Sequence, residues 1–440
     1  MNGFETALIF TGTGVPKQTY VRQEEGRFEK ELKTGLRSAG MMCLLTGPSK
    51  TGKSTLYTTV LAEMGRIPLQ ISCNSGLSAE EFWKKPLENI QSSRVTTQNS
   101  NKNTQTEMGV AVKGGFSWTW LATLIGEGKL GITHGHSEGE VREKILAKPS
   151  SSHLVPLLKY TNLTLVIDNF HYLTNETQKV VFQELKEVCE AQISVIVIAT
   201  THHGADLIRA NQEIVGRVQH IDLARWSDVD LKKIAEKGFA ALNLEFDSVI
   251  FLRIADECAG LPIIMQQTCA QLFIERDLES VDAEANVSFT AQDGWSALHG
   301  VAKRCYGILE PAYSRLSNGP MGDFTRDATY GLILAAFTKN PARFELTRQD
   351  IYERVSRSDV SSNRMASKID RALKELQSLQ ESYGIQLLEW SELEDRLYVI
   401  EPSFLFYVRW RNLDTRPTDS VQRTIEALLQ GRGRRQRRIA

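Results

Sequence analysis

Six cysteines are spread over 440 residues, and no two of Cys43, Cys73, Cys189, Cys258, Cys269 and Cys305 form a C-x-x-C pair. A disulfide frame needs dense cysteines and a structural zinc site needs paired ones, so both are excluded and reduced thiols in a cytosol are expected. An excess of one charge is lacking too: 52 Lys and Arg face 53 Asp and Glu, a formal net charge of −1. Overall charge therefore draws the chain neither to nucleic acid nor to an anionic membrane, and any such attraction is local. No apolar run approaches the roughly 18 residues of a membrane span. The start, Met1-Asn-Gly-Phe-Glu-Thr6, has no basic stretch leading into an apolar one, so no secretory signal is expected.

What is present is a composition of 41% hydrophobic and 24% charged residues, that of a soluble globular protein. The length suits about two to four domains. Met41-Met-Cys-Leu-Leu-Thr46, Leu163-Thr-Leu-Val-Ile-Asp168 and Ile193-Ser-Val-Ile-Val-Ile-Ala199 are short runs, apolar on both faces. Such runs predict buried parallel strands. Helical spacing lies between them, as in Val181, Leu185 and Val188 after the polar start Thr174-Asn-Glu176. The alternation predicts an α/β sheet covered on both sides.

Between about residues 91 and 152 the pattern breaks. A polar stretch from Gln98 is followed by the Gly-rich apolar run Gly109 to Gly126, which reads as an insertion carrying Trp118 and Trp120. Those tryptophans suit a hairpin packed on its own domain better than a membrane contact, because Lys113 and the glycines weaken a membrane helix. From Trp226 to about Leu309 the chain is helix-rich. Then come three helices, Gly331–Phe337, Thr347–Val355 and Ser362–Ser382, and two strands, Ile385–Trp390 and Leu397–Ile400. That is the order of a winged helix. Thr347 with Asp350 three residues on predicts a capped helix start.

Gly47-Pro-Ser-Lys-Thr-Gly-Lys-Ser54 matches G-x-x-x-x-G-K-[ST], with a strand before it and a helical pattern after it. Gly47 and Gly52 let the backbone curl so that the N–H groups of Pro48's successors, Ser49, Lys50 and Thr51, face a phosphate, and the following helix N-terminus adds its partial positive charge. Lys53 neutralises phosphate oxygens, the Ser54 hydroxyl ligates Mg²⁺, and Thr55 completes the turn. Asp168, closing its strand, is the second Mg²⁺ ligand. Asn169 follows where a fast ATPase carries a glutamate; an amide orients water but cannot take its proton, so slow hydrolysis of ATP is expected. Thr201 or His202, after the next strand, is the candidate γ-phosphate sensor, against the alternative of a helix cap. Arg217, just before a later strand, is placed to reach a neighbouring subunit's phosphate, against the alternative of a surface arginine.

Together these residues resemble the AAA+ superfamily, and within it the STAND-like and origin-recognition-like branches, from roughly Thr19 to Trp410. The Walker A at Gly47–Ser54 and Val166-Ile-Asp-Asn-Phe-His-Tyr172 carry the likeness, with Gly260-Leu-Pro262 similar to a motif of STAND lids and Val399 to Trp410 similar to the end of an attached winged helix. The resemblance implies that Tyr20 and Val21 hold adenine and that Pro262 packs against the nucleotide, Ile263 and Ile264 standing where many lids carry an arginine. It implies a cytoplasmic ATP-gated switch that forms a homo-oligomer and signals to a protein partner, including in antiviral defence. The expected architecture is an α/β P-loop core over 1–223, a helical lid over 224–310, a winged helix over 311–412 and a basic tail over 413–440.

DNA is the second candidate partner. Arg364, Lys368, Arg371 and Lys374 line one side of the third helix of the wing unit, opposite Met365, Ile369, Leu373 and Leu376. Glu375 interrupts the stripe, and basic and acidic residues balance from Arg326 to Arg411, so a solvated face is the competing reading. The tail, Gly431-Arg-Gly-Arg-Arg-Gln-Arg-Arg-Ile-Ala440, is basic without an acid and attracts polyanions. Two other functions remain open: a DNA-associated loader or transposition-type regulator, and a nucleotide-stabilised scaffold.

Overall fold

A computed structural model of the protein describes residues 4–87, 149–160, 162–199, 216–223, 225–278, 280–281, 287–320, 328–339, 342–356 and 362–412. Trp118 and Trp120 of the expected insertion, the candidate sensors Thr201 and His202, and the tail 413–440 lie outside the described residues. The chain divides into two compact units, one of Arg22–Pro48 and Gly52–Ala224, the other of Met1–Val21, Ser49–Thr51 and Arg225–Ala440.

The first unit is built on a sheet. In chain order it holds α1 (Arg27–Arg37), β1 (Met42–Thr46), α2 (Lys53–Glu63), β2 (Ile67–Ser72), α3 (Ser151–Tyr160), β3 (Leu163–Asp168), α4 (Asn175–Glu190), β4 (Val195–Ile198) and β5 (Val218–Asp222). The strands are parallel in the order β2-β3-β4-β1-β5. Every residue of β1 and of β4 is buried, which is why both read as unbroken apolar runs. Alternate side chains serve opposite faces. Met42, Leu44, Leu165, Ile167, Val195 and Val197 meet Leu154 and Leu158 of α3 and Val181 and Leu185 of α4. Cys43, Leu45, Val166, Ile196 and Ile198 meet Phe28, Leu32 and Leu36 of α1 and Leu56, Val60 and Leu61 of α2. Each such aliphatic side chain contributes about 1.5–3 kcal/mol relative to exposure. Leu154 belongs to this core, so the sheet unit resumes at Ser151, inside the span assigned to the insertion.

This topology decides where chemistry can happen. All five strands point the same way, so their carboxyl ends share one edge, where open α/β sheets bind ligands. The loop after β1 and the acid closing β3 both lie there, with only β4 between their strands. Two interstrand spacings, roughly 10 Å, separate the strand axes.

In the second unit Phe4–Glu5 pairs antiparallel with Ser280–Val281. Ile9 and Phe10 are buried with Phe239 and Phe273, and a Cβ at Gly238 would stand 2.2 Å from the Phe10 ring. Residues 4–21, which the sequence groups with the sheet, therefore pack here, because the aromatic core they need is made by helices late in the chain. Those helices are α5 (Asp228–Ala241), α6 (Ser248–Glu257), α7 (Pro262–Ile274) and α8 (Ala291–Tyr306). Their starts are capped: Ser227 accepts from the Asp230 amide, Asp247 from Val249 and Ile250, and Thr290 forms a capping box with Asp293.

The same unit continues through α9 (Glu310–Asn318), α10 (Ala328–Thr338), β6 (Glu345–Thr347), α11 (Arg348–Ser356), α12 (Ser362–Ser382), β7 (Leu388–Ser391), β8 (Arg396–Val399) and α13 (Pro402–Trp410). The strands form an antiparallel sheet in the order β6-β8-β7. Thr347 and Asp350 exchange the two capping bonds that the sequence predicts. Buried Gln380 satisfies the turn into β7 by accepting from the Leu387 and Leu388 amides and donating to the Leu388 carbonyl. Two hydrophobic cores result, and α13 feeds both: Phe406, Tyr407 and Trp410 enter the α5–α8 core, Phe404 and Leu405 the α10–α12 core. The sequence expects a lid and a separate wing; a shared helix joins them into one unit. No described helix is long and apolar enough to cross a membrane.

Candidate functional site

The backbone curls where β1 ends. Gly47 has φ 147° and Gly52 φ 97°, values that glycine adopts without a steric penalty. Helix α2 starts at Lys53 directly after Gly52, and no side chain caps it. Its first amides therefore face the loop, and with the helix dipole they form an anion site. The Lys53 ammonium donates to the carbonyls of Gly47 (2.8 Å) and Pro48 (2.7 Å), folded across the mouth of the curl. Ser54 is exposed on the first turn of α2 and Thr55 half-buried behind it.

Residues Ser49–Thr51 group with the C-terminal unit. Thr51 is fully buried, and its carbonyl accepts from Trp226 Nε1 at 2.9 Å. Lys50 has φ 66°, left-handed for a residue with a Cβ. Its ammonium lies 3.2 Å from Glu401 Oε1, 3.0 Å from Ser403 Oγ and 5.5 Å from the Tyr306 ring centre.

Asp168 closes β3 half-buried, with Gln70 Nε2 3.4 Å from its carboxylate. Burial pushes its pKa above the ordinary carboxyl value, while the Asn169 backbone bond and the charge of Lys53 pull the other way. Buried Tyr57 is also raised, first by desolvation and then by the charge of Asp168. A partly buried acid with a raised pKa at a sheet edge suits a cation ligand, since a cation would offset the cost of ionising it. Asn169 has φ 60° and ψ 35° and leads into a short 3-10 turn, Phe170–Tyr172. Asparagine tolerates that left-handed geometry better than glutamate, which gives a backbone reason for an amide here.

Arg217 stands elsewhere. Its carbonyl accepts from the Met42 amide at the start of β1, whereas the loop follows the end of β1. A five-residue strand, roughly 16 Å, lies between them, so Arg217 does not serve the loop of its own chain. Its guanidinium is half exposed and 3.6 Å from Glu190. Tyr20, Val21 and Pro262 belong to the C-terminal unit: Val21 is buried in the α5–α8 core, Lys237 donates to the Tyr20 carbonyl at 2.6 Å, and Pro262 is the first residue of α7.

The sheet unit thus brings together Gly47, Pro48, Gly52, Lys53, Ser54, Thr55, Asp168 and Asn169. Sequence reasoning missed the neighbours that steady them. Thr46, fully buried just before the loop, donates to Asp222 Oδ1 at 2.9 Å and stands 2.7 Å from His220 Nε2. The mixed run Val218-Gln-His-Ile-Asp222 has no regular alternation that would signal that contact.

A second surface lies on α12. Lys368, Arg371 and Lys374 are exposed, while Ile369, Leu373 and Leu376 are buried beneath them. Glu375 accepts from the Tyr330 hydroxyl at 2.9 Å and lies 3.9 Å from Arg371. The Arg364 side chain lies outside the described residues.

Among solved structures the chain is similar to the Walker-type ATPase PABY2304 of Pyrococcus abyssi, at 12% identity over 91% of this chain and 99% of that one, with a TM-score of 0.49. It is similar to the ORC2 protein of Aeropyrum pernix at 13% identity, over 92% and 98% of the two chains, with a TM-score of 0.44. A chain of the Drosophila ORC bound to DNA has 15% identity, 92% coverage of each chain and a TM-score of 0.39. No curated protein sequence matches. Residues 43–223 match the family model "ATPase family associated with various cellular activities (AAA)". Strand order, the phosphate-type loop and the family match over residues 43–223 agree on a parallel P-loop sheet of the AAA+ type in the first unit.

Proposed function

We propose that the protein is an ATP-gated switch that hydrolyses its nucleotide slowly. The observation that carries this reading is the uncapped start of α2, curled between Gly47 and Gly52, with the Lys53 ammonium folded over it. In that arrangement Lys53 leaves the Gly47 and Pro48 carbonyls to meet the β- and γ-phosphates, and the loop amides bind the phosphate oxygens. Ser54 and Asp168 would hold Mg²⁺, whose chemistry is to neutralise phosphate charge. Asn169 orients the attacking water without taking its proton, which keeps turnover slow. Arg217, out of reach of its own loop, acts on that of another copy, and the assembled form signals to a protein partner. Thr201 and His202 remain the proposed sensors. On this reading the chain is STAND-like, with α10–α12 and the β6-β8-β7 sheet read as a winged helix. No described residue bears on antiviral defence.

Calorimetry with Mg²⁺ and ADP or ATP tests the reading. The wild type binds, and Lys53→Ala, which removes a charge-assisted contact worth about 1.5–3 kcal/mol, binds roughly tenfold to a hundredfold more weakly. Undiminished affinity in Lys53→Ala overturns the assignment.

A second reading, a DNA-associated regulator, is favoured by the exposed stripe Lys368, Arg371 and Lys374 and by the basic tail. Mass measured with ADP, ATP and a non-hydrolysable analogue, with and without duplex DNA, separates the two. Nucleotide-dependent growth without DNA supports the switch, and growth only with DNA supports the regulator. A constant mass supports a scaffold.

A further inference from the structure

The element that grips the tip of the phosphate loop is also the one that joins the two C-terminal cores. Lys50 holds φ 66° in a loop where glycines supply the other left-handed turns. A side chain kept in that region by its surroundings marks a position where function outweighs backbone preference. Its surroundings here are specific. Glu401 is the N-cap of α13, where its side chain accepts from the Ser403 amide, and it also accepts from the Ser403 hydroxyl at 2.5 Å. The Lys50 ammonium docks onto this pair, at 3.2 Å from the carboxylate and 3.0 Å from the hydroxyl, over the ring of buried Tyr306. The lysine is about a third exposed and the glutamate less, so the contact is partly shielded from screening. From this cap α13 sends Phe406, Tyr407 and Trp410 into one core and Phe404 and Leu405 into the other.

We infer that Lys50 is a positioning residue that couples the phosphate loop to α13, so that occupancy of the loop is read at the cap formed by Glu401 and Ser403. The inference rests on the proposed nucleotide site. A phosphate in the loop draws on the same amides and cations that set the curl, so it changes the position or the charge environment of Lys50. The ion pair carries that change to Glu401, and the shared helix carries it to both cores.

Hydrogen exchange of the Ser403–Leu405 amides in the full chain, with and without saturating Mg²⁺ and ADP, tests this, with binding followed in parallel by calorimetry. In the wild type ADP changes exchange there about threefold or more. In Glu401→Gln, which keeps a cap acceptor but loses the charge, ADP still binds within about fivefold of the wild-type affinity and exchange at 403–405 no longer responds. Lys50→Arg, which keeps the charge that meets Glu401, keeps the response. If the wild type binds ADP without a change at 403–405, or if Glu401→Gln keeps the wild-type response, the relay is overturned while the nucleotide site stands. If the wild type binds no ADP, the proposed function itself is overturned and the relay falls with it.

Discussion

Replacing Glu257 by alanine should be among the most damaging single changes in the C-terminal unit. Glu257 ends α6, and its carboxylate takes two bonds from the Arg409 guanidinium, one to Nε and one to Nη2 at 2.6 Å, and a third from Trp410 Nε1 at 3.0 Å. The side chains of Arg409 and Glu257 are only 11% and 12% exposed. Removing one partner of such a pair leaves the other charge desolvated, at a cost of about 3–5 kcal/mol. The residual exposure argues for the lower end, and the lost tryptophan bond adds about 1 kcal/mol. An overall loss of about 3–4 kcal/mol is expected. Arg409 Nη1 keeps one partner, the Thr338 carbonyl at 2.5 Å, so the guanidinium is not stripped completely. Urea denaturation followed by tryptophan fluorescence measures the loss, since Trp295 stacks on Trp410 with ring centres 5.5 Å apart and reports on this joint. The paired replacement of Glu257 by leucine and Arg409 by methionine should cost far less than the sum of the single changes, because no charge is left buried. A loss below about 1 kcal/mol in Glu257→Ala, or strict additivity in the pair, refutes the argument.

Gly260→Ala places a Cβ 2.7 Å from Arg225 Cβ at a backbone φ of 68°, so strain and crowding together should cost about 2–4 kcal/mol in denaturant titrations. An unchanged midpoint would show that Arg225, which packs over the Phe344 ring, moves aside freely. Asp168→Asn should abolish Mg²⁺-dependent hydrolysis and yet stabilise the fold near neutral pH. The sign follows from the raised pKa: the folded state holds that proton more tightly than the unfolded one, so the wild type loses stability as pH rises through the folded value. Thermal melts at about pH 3, below the ordinary carboxyl value, and at pH 8 should therefore show a larger gain for the variant at pH 8; an equal gain at both would contradict the burial argument. Asn169→Glu should lose up to about 1 kcal/mol through its left-handed φ, and turnover in a coupled ATPase assay should rise. Slower turnover in a folded variant would show that residue 169 does not face the water.

The sheet was legible because each buried strand is an unbroken apolar run, and β1, β3 and β4 stand within two residues of where Met41–Thr46, Leu163–Asp168 and Ile193–Ala199 place them. The loop was legible because glycine, lysine and serine occur at a fixed spacing. Edge strand β5 was harder to see, since Gln219, His220 and Asp222 dilute its apolar residues, and so the Thr46 contact to Asp222 had no pattern to announce it. The placement of residues 4–21 was hidden for a different reason. Phe10 finds its partners more than two hundred residues downstream, and no local periodicity encodes a pairing of that length.

Asn169 and Lys50 are the clearest cases in which backbone geometry adds to what residue types suggest. Read as chemistry alone, Asn169 is an acid lost, and slow hydrolysis is the whole of its meaning. With φ 60° it is also the residue that lets the chain turn from β3 into Phe170–Tyr172, which buries Phe170 against Phe182 at 5.3 Å between ring centres. The turn and the proposed slow turnover then rest on one side chain, and neither can be inferred from the letter N alone. Lys50 reverses the logic. Its left-handed φ argues for glycine, so the lysine is explained by what its ammonium reaches rather than by what its backbone prefers. A left-handed residue with a side chain is thus informative in opposite ways, and the decisive observation in each case is whether the side chain or the backbone makes the specific contact.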